Sequence, residues 1–468
     1  MKTESIRPSR GVVVAGTCSS GGKTLISALL ISALRVRGMP VQAFKVGPDY
    51  IDPGYSAHYA GRATYNLDHY MMGEQRIRDV VARRTFDAVG VVEGVMGLFD
   101  GTHPTSAEGS TWGIAGLLGW PVFLVIPAAR QGRSIRAIVR GFMEEGRPDS
   151  RITGIILNRV SGDAHAEYLR SALADLSVPV LGAVPELSGV DWPERHLGLR
   201  ASQEYDLPPM ERLAGHAGSH LDMDAIVARL KPQPQALPQG KSGLFSKDRF
   251  GVGSRIGIAM DRAFHFYYPS SLDAVREWGF ELCPFSPISD QRLPEGLDGL
   301  IIGGGFPEIF ARELAANESM RMAIRDFVES GGPCYAECGG LMYLTGGIVP
   351  QGSGFHPMVG ILPGQVQMKS RLQRFGYTEG RFDPDKAGYR GHEFHHSAWD
   401  RENDCGNLWH ARRSTCGSMR KEGYRYKNLH ASYIHLEYST AEPLFRDLFG
   451  RQDRRGSPSH QPEYCVPI

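Results

Sequence analysis

Nothing in this sequence of 468 residues marks a membrane protein, a nucleic-acid binder or a disulfide-held scaffold. No apolar run approaches the roughly 18–20 residues that a membrane-spanning helix needs. The first ten residues are polar and lead straight into an apolar strand pattern, so no secretory leader is expected and a cytoplasmic location is. Lys and Arg number 52 against 51 Asp and Glu, which leaves no bulk field to attract nucleic acid or an anionic membrane. The seven cysteines are odd in number and contain no CxxC pair, which argues against a disulfide framework and a zinc ribbon. No internal repeat is present. What remains is a chain long enough for two or three domains, with the glycine-rich, 41% hydrophobic composition of an α/β enzyme.

Along the chain, short β-branched runs alternate with helical periodicity. Residues 11–15, 41–44, 88–92, 122–126 and 152–157 read as buried strands, and 24–37 reads as a helix with apolar positions Leu25, Ala28, Leu29, Ile31 and Leu34. Uninterrupted apolar strands separated by helices predict a parallel sheet covered on both faces. After a helix at 223–230 comes a Pro- and Gln-rich stretch without apolar periodicity, read as a linker over 231–250. A strand at 255–260 opens a second α/β domain, 251–449, and 450–468 reads as a polar tail. The first domain is then 1–230.

Several stretches carry chemistry. Between the first strand and helix lies Gly16-Thr17-Cys18-Ser19-Ser20-Gly21-Gly22-Lys23-Thr24. Its amides can wrap a phosphate, Lys23 can reach the terminal phosphates, and the Thr24 hydroxyl can ligate Mg²⁺. The first glycine stands one residue early for a strict match. Acid-bearing turns follow two further strands, Asp49 with Asp52 and Glu93 with Asp100. Ligands collect at strand ends of open α/β sheets, and hard carboxylates there suit Mg²⁺. The competing reading is that Asp and Gly serve only the turns; Asp68 likewise either joins the site or caps a helix. In the second half, Tyr335-Ala-Glu-Cys338-Gly-Gly340 has the form of a nucleophile elbow, with nearby amides and a helix N-terminus expected to lower the thiol pKa. The glycine run Gly303–Gly305 can supply oxyanion donors, and His435 can serve as base.

These residues together resemble the cobyrinic acid a,c-diamide synthase family of glutamine-dependent amidotransferases, over nearly the whole chain to about residue 447. The resemblance rests on Lys45–Gly54, Asn66–Asp68, Glu93–Gly101, Glu194–Leu199, Ala263–Pro269, Phe285–Pro287, Gly303–Glu308, Tyr335–Gly340 and Ala431–His435. It implies a P-loop domain similar to dethiobiotin synthetase, followed by a flavodoxin-like class I glutamine amidotransferase domain. It also implies the cofactors ATP and Mg²⁺, with L-glutamine and a tetrapyrrole acid as small-molecule partners. A homodimer is an admissible assembly, with neither nucleic acid nor membrane as a partner.

By that resemblance Cys338 attacks glutamine and His435 is the base. Gly304, Gly305 and Gly339 hold the oxyanion. Gly16, Thr17, Ser19, Gly22, Lys23 and Thr24 bind ATP; Thr24, Asp49 and Glu93 hold the metal; Asp49, Tyr50 and Asp100 serve the substrate and acid activation. Ammonia would need a shielded route from Cys338 to the activated acid. The sequence departs from the family pattern at Ser20-Gly21, at Cys18 and at Glu437, where a histidine is usual. Glu437 either completes a Cys338–His435–Glu437 triad or is a strand-end carboxylate. The histidines of Gly391–Ser397 suggest metal ligands or support for the active site, and Arg371, Arg374 and Arg390 either attract substrate carboxylates or are solvated. Cobyrinate is the expected substrate; sirohaem, hydrogenobyrinate and nickel-sirohydrochlorin are alternatives. A P-loop partner-binding protein with a relic glutaminase domain is the non-enzymatic reading.

Overall fold

Runs such as Val12-Val13-Val14-Ala15 and Val122-Phe123-Leu124-Val125-Ile126 have no polar face, so they form strands only where both sides of the sheet are covered. In the computed structural model, which describes residues 10–149, 151–190, 194–195, 198–199, 206–230, 248–414 and 417–450, these residues are fully buried. The chain divides into two units, Met1–Ser242 and Gly243–Ile468. Most of the expected linker (231–247), nearly all of the tail (451–468) and Cys416 lie outside the described residues, as do His196 and Leu197 of the Glu194–Leu199 motif.

The first unit is a seven-stranded sheet. Its order is Tyr65–Leu67, Val41–Val46, Val89–Glu93, Arg10–Gly16, Val122–Pro127, Ile152–Val160 and Val180–Pro185. Every pairing is parallel. The first strand in sequence therefore sits in the middle, where the winding reverses. Trp120 is fully buried, and its ring lies where Cβ atoms on Gly11 and Gly90 would stand, 2.3 and 2.1 Å from ring carbons. Those two residues are register partners on adjacent strands. The pair of glycines gives the indole a flat seat, and burying an aromatic of that size removes roughly 150–250 Å² from water.

The second unit contains five parallel strands in the order Glu281–Phe285, Arg255–Ala259, Gly299–Ile302, Cys334–Glu337 and Leu429–Ser432. Counted along the chain, that is the 2-1-3-4-5 order of flavodoxin-like sheets. Tyr424–Tyr426 adds an antiparallel edge. The sequence did not signal the antiparallel layers between 347 and 436. One of them runs Arg420–Glu422, Trp409–Arg413, Arg374–Arg381, Tyr389–His395, His435–Leu436. Its last strand carries the candidate base, so this sheet and the parallel sheet meet at residues 432–435.

Candidate active sites

In the first unit the loops at the carboxyl ends of three neighbouring strands converge. The phosphate loop leaves the central strand and closes into helix Lys23–Val36. Ser20 and Gly22 take positive φ, 56° and 94°, which turns consecutive amides inward as an anion-binding nest. At Gly22 the requirement is absolute: a Cβ would lie 1.9 Å from Asn158 Nδ2, which donates to the Gly21 carbonyl at 3.0 Å. Gly22→Ala is expected to weaken ATP binding more than tenfold, because a strained left-handed residue and a displaced Asn158 add together. Isothermal titration with ATP checks it, and an unchanged Kd would show that the loop tolerates the distortion.

Lys23 Nζ donates to Cys18 O at 2.9 Å and Met96 O at 2.6 Å. Burial, aided by the charge of Lys45, lowers its pKa. Thr24 Oγ1 donates to Glu93 Oε1 at 2.7 Å, while Glu93 Oε2 is buried without a hydrogen-bond partner. Thr24 and Glu93 thus stand together as expected. Asp49, expected with them at the metal, has other partners here. Its Oδ1 accepts from the Ile51 and Asp52 amides, at 2.8 and 3.1 Å, and its Oδ2 lies 3.6 Å from Lys45 Nζ. Among the described residues no three His, Cys, Asp or Glu side chains converge as a metal cluster.

The acids converge instead on a lysine that sequence reasoning left without a role. Lys45 Nζ is 2.6 Å from Asp52 Oδ2 and 2.8 Å from Glu93 Oε1. Burial alone would lower the pKa of this ammonium, but the carboxylates of Asp52, Glu93 and Asp49 hold it well above its ordinary value. Asp52 keeps a depressed pKa despite burial because of Lys45. Burial and the charge of Asp52 push Asp49 up to about 7. The signal available in the sequence was Lys45 itself, one strand residue before a turn with acids four and seven positions on. Asp100, expected to activate the substrate acid, accepts from the Gly97 amide at 2.8 Å and shapes its own loop. Asp68 caps helix His69–Arg84 by accepting from Met71 N at 2.8 Å. Tyr50 is half-buried beside Asp49.

In the second unit, strand Cys334–Glu337 ends at Cys338, which takes φ 47°, ψ −100° and starts the short helix Gly339–Leu344. A non-glycine residue in that conformation is strained, which is how a nucleophile elbow projects its side chain. The expected lowering of the thiol pKa is not what the fold produces. Burial pushes the Cys338 thiol well up, Glu308, Glu337 and Glu393 add to this, and the Gly339 amide opposes it weakly. Desolvation outweighs a single amide and a one-turn helix. The thiol is therefore protonated at rest.

His435, the candidate base, is fully buried. His435 is the register partner of His392, and their rings stack at 4.9 Å and 9°. His392 Nε2 meets the Tyr268 hydroxyl at 2.7 Å. Burial, with His392 and His395 adding to it, drives the His435 pKa far down, so the ring rests neutral and able to accept a proton. The strand Gly304–Gly305 touches both catalytic elements. A Cβ on Gly304 would lie 2.5 Å from His435 Cε1, and one on Gly339 would lie 3.1 Å from Gly305 N. Any side chain at 304 would displace the ring.

Glu437 Oε1 accepts from Ser271 Oγ at 3.2 Å, and its Oε2 accepts from Ser439 Oγ. The carboxylate oxygen 3.7 Å from His435 Nδ1 belongs to Glu337, a residue the sequence reading quoted in its motif without assigning it a task. His395 stacks on Tyr433 at 3.9 Å and its Nδ1 meets Ser397 O at 2.8 Å, so the histidine-rich strand braces the site. Arg371 and Arg390 are exposed and Arg374 is half-buried.

Comparison with known proteins adds the following. Residues 12–199 match a CobQ/CobB/MinD/ParA nucleotide binding domain, and residues 255–443 match a CobB/CobQ-like glutamine amidotransferase domain. The cobyrinate a,c-diamide synthase of Syntrophotalea carbinolica is 41% identical over 448 residues, 92% of this chain and 95% of that protein. The enzyme of the same name from Priestia megaterium is 36% identical, across 93% of this chain and 95% of its own length. A hydrogenobyrinate a,c-diamide synthase from Streptomyces coelicolor is 37% identical, with 92% and 95% covered.

Proposed function

The chain belongs to the cobyrinate a,c-diamide synthase family, and from that premise we propose that it is a ligase that amidates the a and c acetate side chains of cobyrinate with nitrogen from glutamine. The observation that carries the reading is one chain with both halves of the chemistry: a strained, buried cysteine with a neutral imidazole in one unit, and a preset phosphate loop in the other.

The glutaminase half follows from its protonation states. The Cys338 proton passes to His435 as sulfur attacks the glutamine amide carbon. The oxyanion forms against the Gly305 and Gly339 backbone, and the resulting imidazolium returns the proton to the departing nitrogen, releasing ammonia and leaving a thioester for water to cleave. Positioned proton transfer of this kind contributes roughly 10²–10⁴-fold.

In the other half, the phosphate-loop amides and Lys23 hold the phosphates of ATP in line with a substrate carboxylate. Thr24 Oγ1 and the unpartnered Oε2 of Glu93 are the oxygens that would hold Mg²⁺. A bound Mg²⁺ supplies charge neutralisation at the transferring phosphoryl group. A carboxylate is a poor electrophile toward ammonia, and conversion to an acyl phosphate supplies the leaving group. Lys45 and its carboxylates fix the floor of this site.

The test is direct. Purified protein incubated with ATP, Mg²⁺, glutamine and cobyrinate should show two successive mass changes, each equal to OH replaced by NH₂. Hydrogenobyrinate, nickel-sirohydrochlorin and sirohaem run as separate arms. Turnover of one of those with none of cobyrinate would transfer the assignment to that macrocycle.

A further inference from the structure

Strand Gly304–Gly305, which touches both catalytic elements, is anchored by a hydroxyl outside it. Strands Arg255–Ala259 and Gly299–Ile302 are parallel neighbours whose last register pair is Ile258 with Ile301. Just past the end of that ladder the Tyr267 hydroxyl bridges the two chains. It donates to Ala259 O at 2.6 Å and accepts from the Gly303 amide at 2.7 Å. A phenol carries one proton and free lone pairs, so both bonds form at once. Burial pushes the pKa of this phenol up, against the pull of the Gly303 amide, so the oxygen keeps the proton that Ala259 receives. The ring fits Gly303 as closely: a Cβ at 303 would lie 2.4 Å from Tyr267 Cε1.

What the hydroxyl fixes is the entry into Gly304–Gly305. That strand pairs antiparallel with Phe264–Phe266, the residues that lead into Tyr267. Beyond it the Phe306 amide donates to Ala263 O at 3.0 Å. Gly305 takes φ 154°, and a Cβ there would lie 2.0 Å from the same carbonyl oxygen. Between these two anchors Gly304 faces the His435 ring, and Gly305 N stands beside Gly339. The Gly303 amide is committed to Tyr267, so the oxyanion falls to amides further along the turn.

We propose that Tyr267 is a positioning residue of the glutaminase site, its hydroxyl setting the peptide plane at Gly303 so that the backbone of Gly304–Gly305 stands at the oxyanion. The inference rests on the glutaminase reading of Cys338 and His435. Tyr267 acts through the strand rather than on the substrate. An oxyanion exists only on the way through the tetrahedral intermediate, so a misplaced donor lowers rate and leaves substrate affinity alone.

The experiment compares the full chain with its Tyr267→Phe, Gly303→Ala, Tyr343→Phe and Cys338→Ala variants in two reactions. One is glutamine hydrolysis; the other is alkylation of Cys338 by iodoacetamide, read on the Cys338 peptide by mass spectrometry. Alkylation displaces iodide at a saturated carbon and makes no oxyanion, so it reports the thiol without the donors. For Tyr267→Phe we expect kcat to fall roughly 10–10²-fold with KM within about threefold. Cys338 alkylation should keep the wild-type rate. Tyr343→Phe is the control and should keep the wild-type kcat: Tyr343 is buried against Phe264, and its hydroxyl has no hydrogen-bond partner among the described residues. Gly303→Ala, whose methyl would push the Tyr267 ring aside, should show the same loss of kcat, and it decides the matter if Tyr267→Phe does not fold. A folded Tyr267→Phe with wild-type kcat overturns the proposal. So does a rise in KM alone, an equal loss in Tyr343→Phe, or alkylation that slows as much as hydrolysis, because each places the defect away from the oxyanion. If Cys338→Ala still hydrolyses glutamine, the glutaminase reading itself fails. If only that variant is dead while Tyr267→Phe behaves as wild type, the reading stands and this inference falls.

Discussion

Cys338→Ala is expected to lower glutamine-dependent amidation by roughly 10⁴–10⁶-fold while amidation with added ammonium chloride continues. The size follows from the resting state. The thiol is neutral because burial holds its pKa high, and the imidazole is neutral for the same reason, so no preformed charge survives to support a bypass once sulfur is gone. The selectivity follows from the fold: Cys338 lies in the second unit, and every residue of the phosphate loop and of the Lys45 cluster lies in the first. Alanine removes one atom and keeps the Cys338 backbone amide, which donates to Ser432 O at 2.7 Å. Folding should therefore be retained. The measurement is product formation by mass spectrometry with either nitrogen source. Equal loss with glutamine and with ammonium would break the division of labour, since it would mean that the cysteine also serves the acid-activating site.

How much of this was readable in advance depended on whether the signal was local. The phosphate loop announces itself because strand, glycines, lysine and helix follow one another within 15 residues, and Asn158, which supports it from a distant strand, carries no mark in the sequence. The nucleophile elbow is equally local. The base was found from its place at the end of a β-like run, but its surroundings come from three segments far apart in the chain, around 268, 337 and 392. Sequence spacing pointed to Glu437, two residues from His435; a carboxylate oxygen 3.7 Å from its Nδ1 comes from Glu337, 98 positions away. The thiol pKa was misjudged for the same reason, because desolvation is a property of the packed whole and the helix dipole argument used only neighbours. The carboxylates of Asp49, Asp52 and Glu93 are legible as acids at strand ends, but the lysine they gather around is not, because Lys45 lies inside an apolar strand pattern.

That cation gives the second large effect. Lys45→Met, which keeps most of the side-chain volume, is expected to destabilise the first unit by about 3–5 kcal/mol at pH 8, the cost of leaving buried carboxylates without their partner. Lys45 is 3% exposed at its side chain and Glu93 2%, so little solvent screening is available, and Asp52 and Asp49 are only 22% and 27% exposed. The pH dependence has a definite sign. Lys45 has a raised pKa, so its contribution in the wild type is complete below its unfolded value near 10.4 and fades only above it. Asp52 is depressed, so its contribution is present above about 3.9 and fades as pH falls further. The Lys45–Asp52 pair of the wild type is thus intact between about pH 4 and 10. Without the ammonium, Asp49 and Glu93, already raised by burial, rise further and take up protons as the pH falls from 8 to 5. Protonation removes the uncompensated charge, so the deficit of the variant should shrink over that interval; in the wild type Asp49, raised to about 7, takes up its proton there too, so its stability also rises, but by less than the variant's. Urea unfolding monitored by loss of nucleotide binding, at pH 8 and pH 5, measures both midpoints. A variant midpoint equal to wild type at pH 8, or a deficit that grows on acidification, would show that the three carboxylates do not depend on Lys45 for their burial.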